Sequence, residues 1–248
     1  MSDLLDNIYN YPKFFYWTMF QKIDPSLSIE KIIERVNNIN SKHFKIIQNN
    51  YETLADPFLF RYKDEMYLFF EKVNTQRYRK HRLDEPIGEI YCCKLFIQDD
   101  KLTYSEPILA LSRDHHLSYP FLIMEGNDIY MLPEGKQSGV LELYKCVSFP
   151  DQWEPVKILL SGQYVDSTIF YYDNMYWLFT KKANRSNTVY SEELYYAEQL
   201  VTRKWTLHSN IYSGTDKNIP RRGAGNIFIK DGKIYRPDRK STRLNSSH

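Results

Sequence analysis

The sequence predicts an all-β fold: a five-bladed β-propeller with a short N-terminal helix and an incomplete last blade. Three observations point there. Aromatic residues make up 16% of the 248 positions, with 21 Tyr and 14 Phe, a composition suited to cross-strand aromatic pairs. A segment built of a strand, a turn rich in Asp, Asn or Gly and a second aromatic strand recurs four times. Measured at Asp56, Tyr119, Asp166 and Ala224, the copies start 63, 47 and 58 residues apart, close to the spacing of four-stranded blades.

In chain order, residues 28–38 place Ile29, Ile32, Ile33 and Val36 at helical spacing with charges between them, which predicts a short amphipathic helix. Strand-like patches at 14–22 and 44–48 flank it, and 14–22 is the candidate for the strand that closes the ring. Residues 1–50 are therefore assigned to closure and 51–237 to the blades. The first copy, 55–71, aligns without gaps on the second, 118–134, and each ends in a glutamate, Glu71 or Glu134. The third, 166–180, is expected to be one residue shorter in its turn, and the fourth runs over 224–237. Further strand pattern follows each hairpin at 88–96, 139–146 and 193–198, with outer strands expected around Trp153 and Trp205.

Residues 238–248 coincide with one reading frame of a widely used sequencing adapter, and we set them aside as an artefact. The last blade is then expected to be cut short at Pro237. Without that tail the formal charge of +2 falls to zero, so nothing in the charge balance calls for a nucleic-acid partner. Asp3 and Asp6 stand where a secretory signal needs positive charge, and the longest apolar aromatic run, 14–20, is far below the roughly 20 residues that cross a bilayer. A cytoplasmic protein without a membrane span is expected. Cys92, Cys93 and Cys146 show no paired spacing. Adjacent strand residues face opposite ways, so Cys92 and Cys93 are expected to be packing residues.

Strand starts at one end of a propeller converge in space, which brings Asp56, Tyr119 and Asp166 together as candidates, joined by Glu71 and Glu134 from the second strands. Each has a plainer reading. Asp56 could cap the turn before Pro57, and Glu71 could be a solvated or buttressing carboxylate. His115 and His116 precede the second blade, where hydrogen bonding suits them better than metal ligation, since no further ligand lies at metal-site spacing. Arg221 and Arg222, before the fourth copy, could bind a phosphate or carboxylate, or could buttress channel acids. Paired carboxylates with aromatics around a concave mouth suit sugars, and glycosidic cleavage needs two of them. If the chain is an enzyme, Asp56, Glu134 and Asp166 are the catalytic candidates. No metal or cofactor is expected, and no Gly-x-Ser-x-Gly, P-loop or dinucleotide fingerprint occurs.

These motifs follow a known order: Ala55-Asp56-Pro57-Phe58, Gly88-Glu89-Ile90, His116-Leu117-Ser118-Tyr119-Pro120-Phe121, Tyr130-Met131-Leu132-Pro133-Glu134, Phe149-Pro150 with Trp153, Val165-Asp166, Trp177-Leu178-Phe179 and Ile234-Tyr235-Arg236-Pro237. From about residue 17 to 237 the chain resembles the N-terminal domain of glucosamine inositolphosphorylceramide transferases. That domain is itself similar to the five-bladed propellers of glycosyl hydrolase family 43. The resemblance implies a carbohydrate-recognising module serving glycoconjugate assembly beside a fused glycosyltransferase or formyltransferase-like domain. It also implies an alternative, a family 43-like hydrolase or phosphorylase, in which Asp56 falls at the base position of the first-blade motif. Tyr119 stands where those hydrolases carry an Asp, and Glu134-Gly135-Lys136 replaces their Glu-Gly-Pro in a different blade.

Overall fold

Continuous apolar runs around two-residue turns fold the repeats into antiparallel hairpins buried on both faces. The computed structural model describes residues 52–74, 87–98, 101–183, 190–202, 204–213, 223, 225–230 and 233–236. The expected helix at 28–38, the strands at 14–22 and 44–48, Ala224, Arg221, Arg222 and the tail 238–248 lie outside these residues. Strands β1 (Glu52–Tyr62) and β2 (Glu65–Asn74) form the first hairpin, and β3 (Gly88–Gln98) extends it. The outer edge of β3 is shared by two short strands, β4 (Lys101–Tyr104) and β5 (Ile108–Leu111). The second sheet runs β6 (Ser118–Glu125), β7 (Asp128–Glu134), β8 (Val140–Ser148) and β9 (Gln152–Ser161). The third runs β10 (Tyr164–Tyr172), β11 (Met175–Ala183), β12 (Tyr190–Ala197) and β13 (Thr206–Ser213). A fourth, two-stranded sheet pairs β14 (Phe228–Lys230) with β15 (Lys233–Tyr235).

The protein is thus all-β over the described residues, with three blade-like sheets and one further hairpin. The sheets are not closed into a ring there, and no fifth sheet is among them. Strands β1, β6 and β10 lie side by side as the innermost strands. Each of their hairpins turns through two residues. Lys63, Gly126, and the pair Asp173 and Asn174 supply the positive φ angles that such turns need.

The register corrects the expectation for the third copy. Phe58 pairs with Phe69, Phe121 with Leu132 and Thr168 with Phe179, so the three hairpins have the same length. No residue is lost from the third turn, and the position of Glu71 and Glu134 is occupied there by Lys181. Trp177 stands where the first two copies have Tyr67 and Tyr130, and Tyr176 lies one place before it.

Two apolar clusters hold the sheets. Phe58, Phe69, Ile90, Met131, Leu132, Leu143 and Leu178 belong to the larger one between the sheets, and Leu68, Phe70 and Leu95 to a smaller one on the other face of the first sheet. Burying each large apolar side chain contributes about 1.5–3 kcal/mol. Cys92 packs in the first cluster and Cys93 in the second, the opposed facing expected of neighbours on a strand. Phe149 joins the first two sheets: its ring lies 4.3 Å from that of Tyr62 and 4.8 Å, edge to face, from that of Tyr67. Trp153 Nε1 donates to the Pro150 carbonyl at 2.8 Å, which fixes the Phe149-Pro150 corner.

Candidate functional site

The inner strands carry a shared irregularity. Between Ala55 and Phe58, Ser118 and Phe121, and Val165 and Thr168, the pairing slips so that the inner strand holds one extra residue. Such a bulge bends the strand and re-aims a side chain. The re-aimed residues are Asp56, Tyr119 and Asp166, with φ of 47°, 49° and 51°. For a residue with a side chain this left-handed backbone costs roughly 1–3 kcal/mol. The conformation therefore recurs at three sites where the surrounding packing holds it, and all three residues are buried.

These ends meet. The Asp166 amide donates to Glu134 Oε2 at 3.2 Å, linking the third sheet to the end of β7. The Tyr119 phenol accepts from the Gly225 amide at 2.9 Å, which brings the stretch before β14 to the same place. Burial, then the Asp166 and Asp56 carboxylates, hold this phenol far above the usual tyrosine range, against the pull of Thr168 and Gly225. Tyr119 is therefore a neutral group between two carboxylates. A Cβ at Gly223 would fall 3.0 Å from its oxygen, so the chain passes tightly over it.

A second set braces the first. His116 Nδ1 accepts from the Gly88 amide at 3.0 Å, so the neutral ring carries its proton on Nε2 and donates it to Glu71 Oε1, also at 3.0 Å. The Leu117 amide donates to the Gly88 carbonyl at 2.9 Å, and the His116 amide to Gln137 Oε1 at 2.9 Å. The segment 116–119 is thus pinned to the first sheet and to the turn after β7. His115 sits over that turn, its Nε2 3.1 Å from where a Cβ on Gly135 would be, and its Nδ1 lies 2.9 Å from Asp114 Oδ1.

Of the sequence candidates, the structure gathers Asp56, Tyr119, Glu134 and Asp166 at one end of the inner strands, with buried Glu71 and half-buried His116 as a brace and His115 beside the turn. Sequence reasoning passed over three residues. Lys181 is buried at the position of Glu71 and Glu134, opposite Glu192 on β12, and the gapless repeat would have found it. Glu89, also buried, accepts from Ser112 Oγ at 2.6 Å. Gly88, inside the Gly88-Glu89-Ile90 motif, has no room for a side chain. Among the described residues no His, Cys, Asp and Glu cluster is arranged to hold a metal ion. The site gathers carboxylates and one neutral phenol around a buried corner.

A sequence model of the family described as glucosamine inositolphosphorylceramide transferase 1, N-terminal, matches residues 39–247. Glucosamine inositolphosphorylceramide transferase 1 of Oryza sativa subsp. japonica is 33% identical over 187 residues, covering 74% of this chain and 24% of the rice protein. The Arabidopsis thaliana protein of the same name is 35% identical over 191 residues, covering 74% and 23%. The chain spans about a quarter of the length of these relatives. Among solved structures, an exo-β-1,3-galactanase from Phanerochaete chrysosporium is similar with a TM-score of 0.53 at 10% identity, covering 74% of this chain and 42% of that one. That likeness is one of fold. Among the described residues no helix is long and apolar enough to cross a membrane.

Proposed function

The chain belongs to the family of glucosamine inositolphosphorylceramide transferase 1 N-terminal domains, and from that premise we propose that it is a carbohydrate-recognising module of a glycoconjugate-assembling protein. The observation that carries the proposal is the recurrent bulge. Three inner strands spend backbone strain to turn Asp56, Tyr119 and Asp166 into one buried corner beside Glu134. Hydroxyl groups of a sugar donate to carboxylates, which accept more than one hydrogen bond each. The module works alongside a catalytic segment elsewhere in a longer chain, in keeping with the quarter of the relatives' length that it spans. A fifth blade, and a role for Arg221 and Arg222 in holding a phosphate or carboxylate on the ligand, belong to the same proposal.

The test compares Asp56→Asn and Glu134→Gln with the unmutated protein, using calorimetry and sugar release from aryl glycosides and oligosaccharides. Each amide should weaken oligosaccharide binding by about 1–3 kcal/mol, the scale of a hydrogen bond to a charged group. No sugar release should be seen from any of the three proteins. The hydrolase alternative draws on the same buried carboxylates, because glycosidic cleavage uses an acid and a base or nucleophile. Release by the unmutated protein that disappears in both variants would replace the binding reading with that one.

A further inference from the structure

The register of the first hairpin maps onto that of the third. Phe60 pairs with Tyr67 as Phe170 does with Trp177, and Tyr62 and Phe69 correspond to Tyr172 and Phe179. On the first sheet these four rings cradle Phe149, which the connection between β8 and β9 delivers. Its ring centre lies 4.3 Å from Tyr62, 4.8 Å from Tyr67 and 6.0 Å from both Phe60 and Phe69. The third sheet repeats the cradle on the face it turns away from the second. Tyr176 donates to Glu125 of the second sheet, so by strand alternation Phe170, Tyr172, Trp177 and Phe179 face the other way.

That cradle is half filled. Arg236 of the fourth sheet stands 5.1 Å from the centre of the Phe179 ring, and Phe170 stacks on Phe179 at 5.9 Å. Tyr172, by contrast, is 43% exposed. Trp177 is flanked by Tyr196 and His208 of its own sheet, at 5.9 and 5.5 Å, and its Nε1 donates to the Tyr172 carbonyl at 3.1 Å, which fixes the indole. Among the described residues no ring of another sheet reaches Tyr172 or Trp177, the counterparts of the two rings closest to Phe149.

We propose that Tyr172 and Trp177 form a docking face for an aromatic side chain followed by a proline, presented by the outer connection of the neighbouring sheet in a longer protein. The contact of Phe149 with the first sheet supplies the chemistry of the occupant. The fourth sheet is the neighbour in place to present it. It has two strands among the described residues, whereas Phe149 lies between the third and fourth strands of its own sheet. Covering the two rings removes aromatic surface from water, and edge-to-face contact adds to that gain.

The full chain would be titrated with acetyl-Ser-Phe-Pro-Asp-amide, a copy of residues 148–151, and followed by saturation-transfer NMR. The same peptide with alanine in place of phenylalanine is the control. Saturable binding of the phenylalanine peptide below about 50 mM is expected, weakened about fivefold by Tyr172→Ala and left unchanged by Tyr171→Ala. Both tyrosines are exposed and lie on opposite faces of β10, so either truncation spares the core. No saturable binding, equal binding of the alanine peptide, or an equal loss with Tyr171→Ala would overturn the proposal. So would a dimer in sedimentation that Tyr172→Ala dissolves, which assigns the face to a second copy. Displacement of the peptide by methyl β-D-glucopyranoside would assign it to a sugar instead.

Discussion

A methyl group placed on Gly88 would lie 2.6 Å from the Leu117 carbonyl oxygen, 2.7 Å from His116 Cε1 and 2.9 Å from Glu71 Oε1. The nearest atom is backbone and cannot step aside cheaply. Gly88→Ala should therefore cost about 1–3 kcal/mol, read as a lower urea midpoint, and should break the bond from the Gly88 amide to His116. An unchanged midpoint would show that the brace is slack. The cysteines give a pH test. Burial, with a smaller push on Cys92 from Cys93, lifts both thiols from 9.0 to about 12. Between those values the folded chain keeps protons that the unfolded chain releases, so stability is fully present below about pH 9 and falls as pH rises towards 12. Denaturation midpoints at about pH 8 and pH 10.5 should show the fall, and replacing both cysteines with alanine should make it smaller, the raised Tyr119 phenol supplying part of the remainder. At this scale the sequence was legible where chemistry repeats, as at Asp56 and Asp166. It was silent where space decides, as at Gly88, because a glycine's neighbours come from Glu71 and His116, far along the chain.

The hairpin is the element that the sequence announces best, because strand, turn and strand are local. Only the third copy departs from the expected length, and its true register puts Lys181 at the position of Glu71 and Glu134. The outer edge of the first sheet was harder to see. Strands β4 and β5 are four residues each and share one partner, β3, so neither carries enough alternation to stand out. The turn of the third hairpin carries two side-chain-bearing residues at positive φ, Asp173 at 51° and Asn174 at 58°. Asn174→Gly matches what such turns prefer and should stabilise the protein by roughly 0.5–1 kcal/mol, measured as a higher denaturant midpoint. A lower midpoint would mean that the weak contact from the Tyr171 hydroxyl to Asn174 Oδ1, at 3.5 Å, matters more than the backbone.

Across the whole molecule, the fourth sheet is fastened to the third by charge and an aromatic ring. Arg236 Nη2 lies 2.5 Å from Glu192 Oε1 and its guanidinium 5.1 Å from the centre of the Phe179 ring. The geometry is that of a close ion pair without an aligned hydrogen bond, since Glu192 Oε1 accepts none. Glu192 is buried, so Arg236→Ala would strand its carboxylate and should cost about 3 kcal/mol or more, seen as a lower melting temperature. An unchanged melting temperature would show the fourth sheet to be loosely attached. The bond from the Gly225 amide to the Tyr119 phenol has a consequence in time. It joins groups 106 residues apart, whereas each hairpin closes over a turn of two. Local pairings form in microseconds, and contacts of long sequence separation wait on loop closure. The corner around Tyr119 is therefore completed after the first three hairpins, once the segment around Gly225 has emerged from the ribosome, and a nascent chain halted before it would carry folded hairpins with an unfinished site.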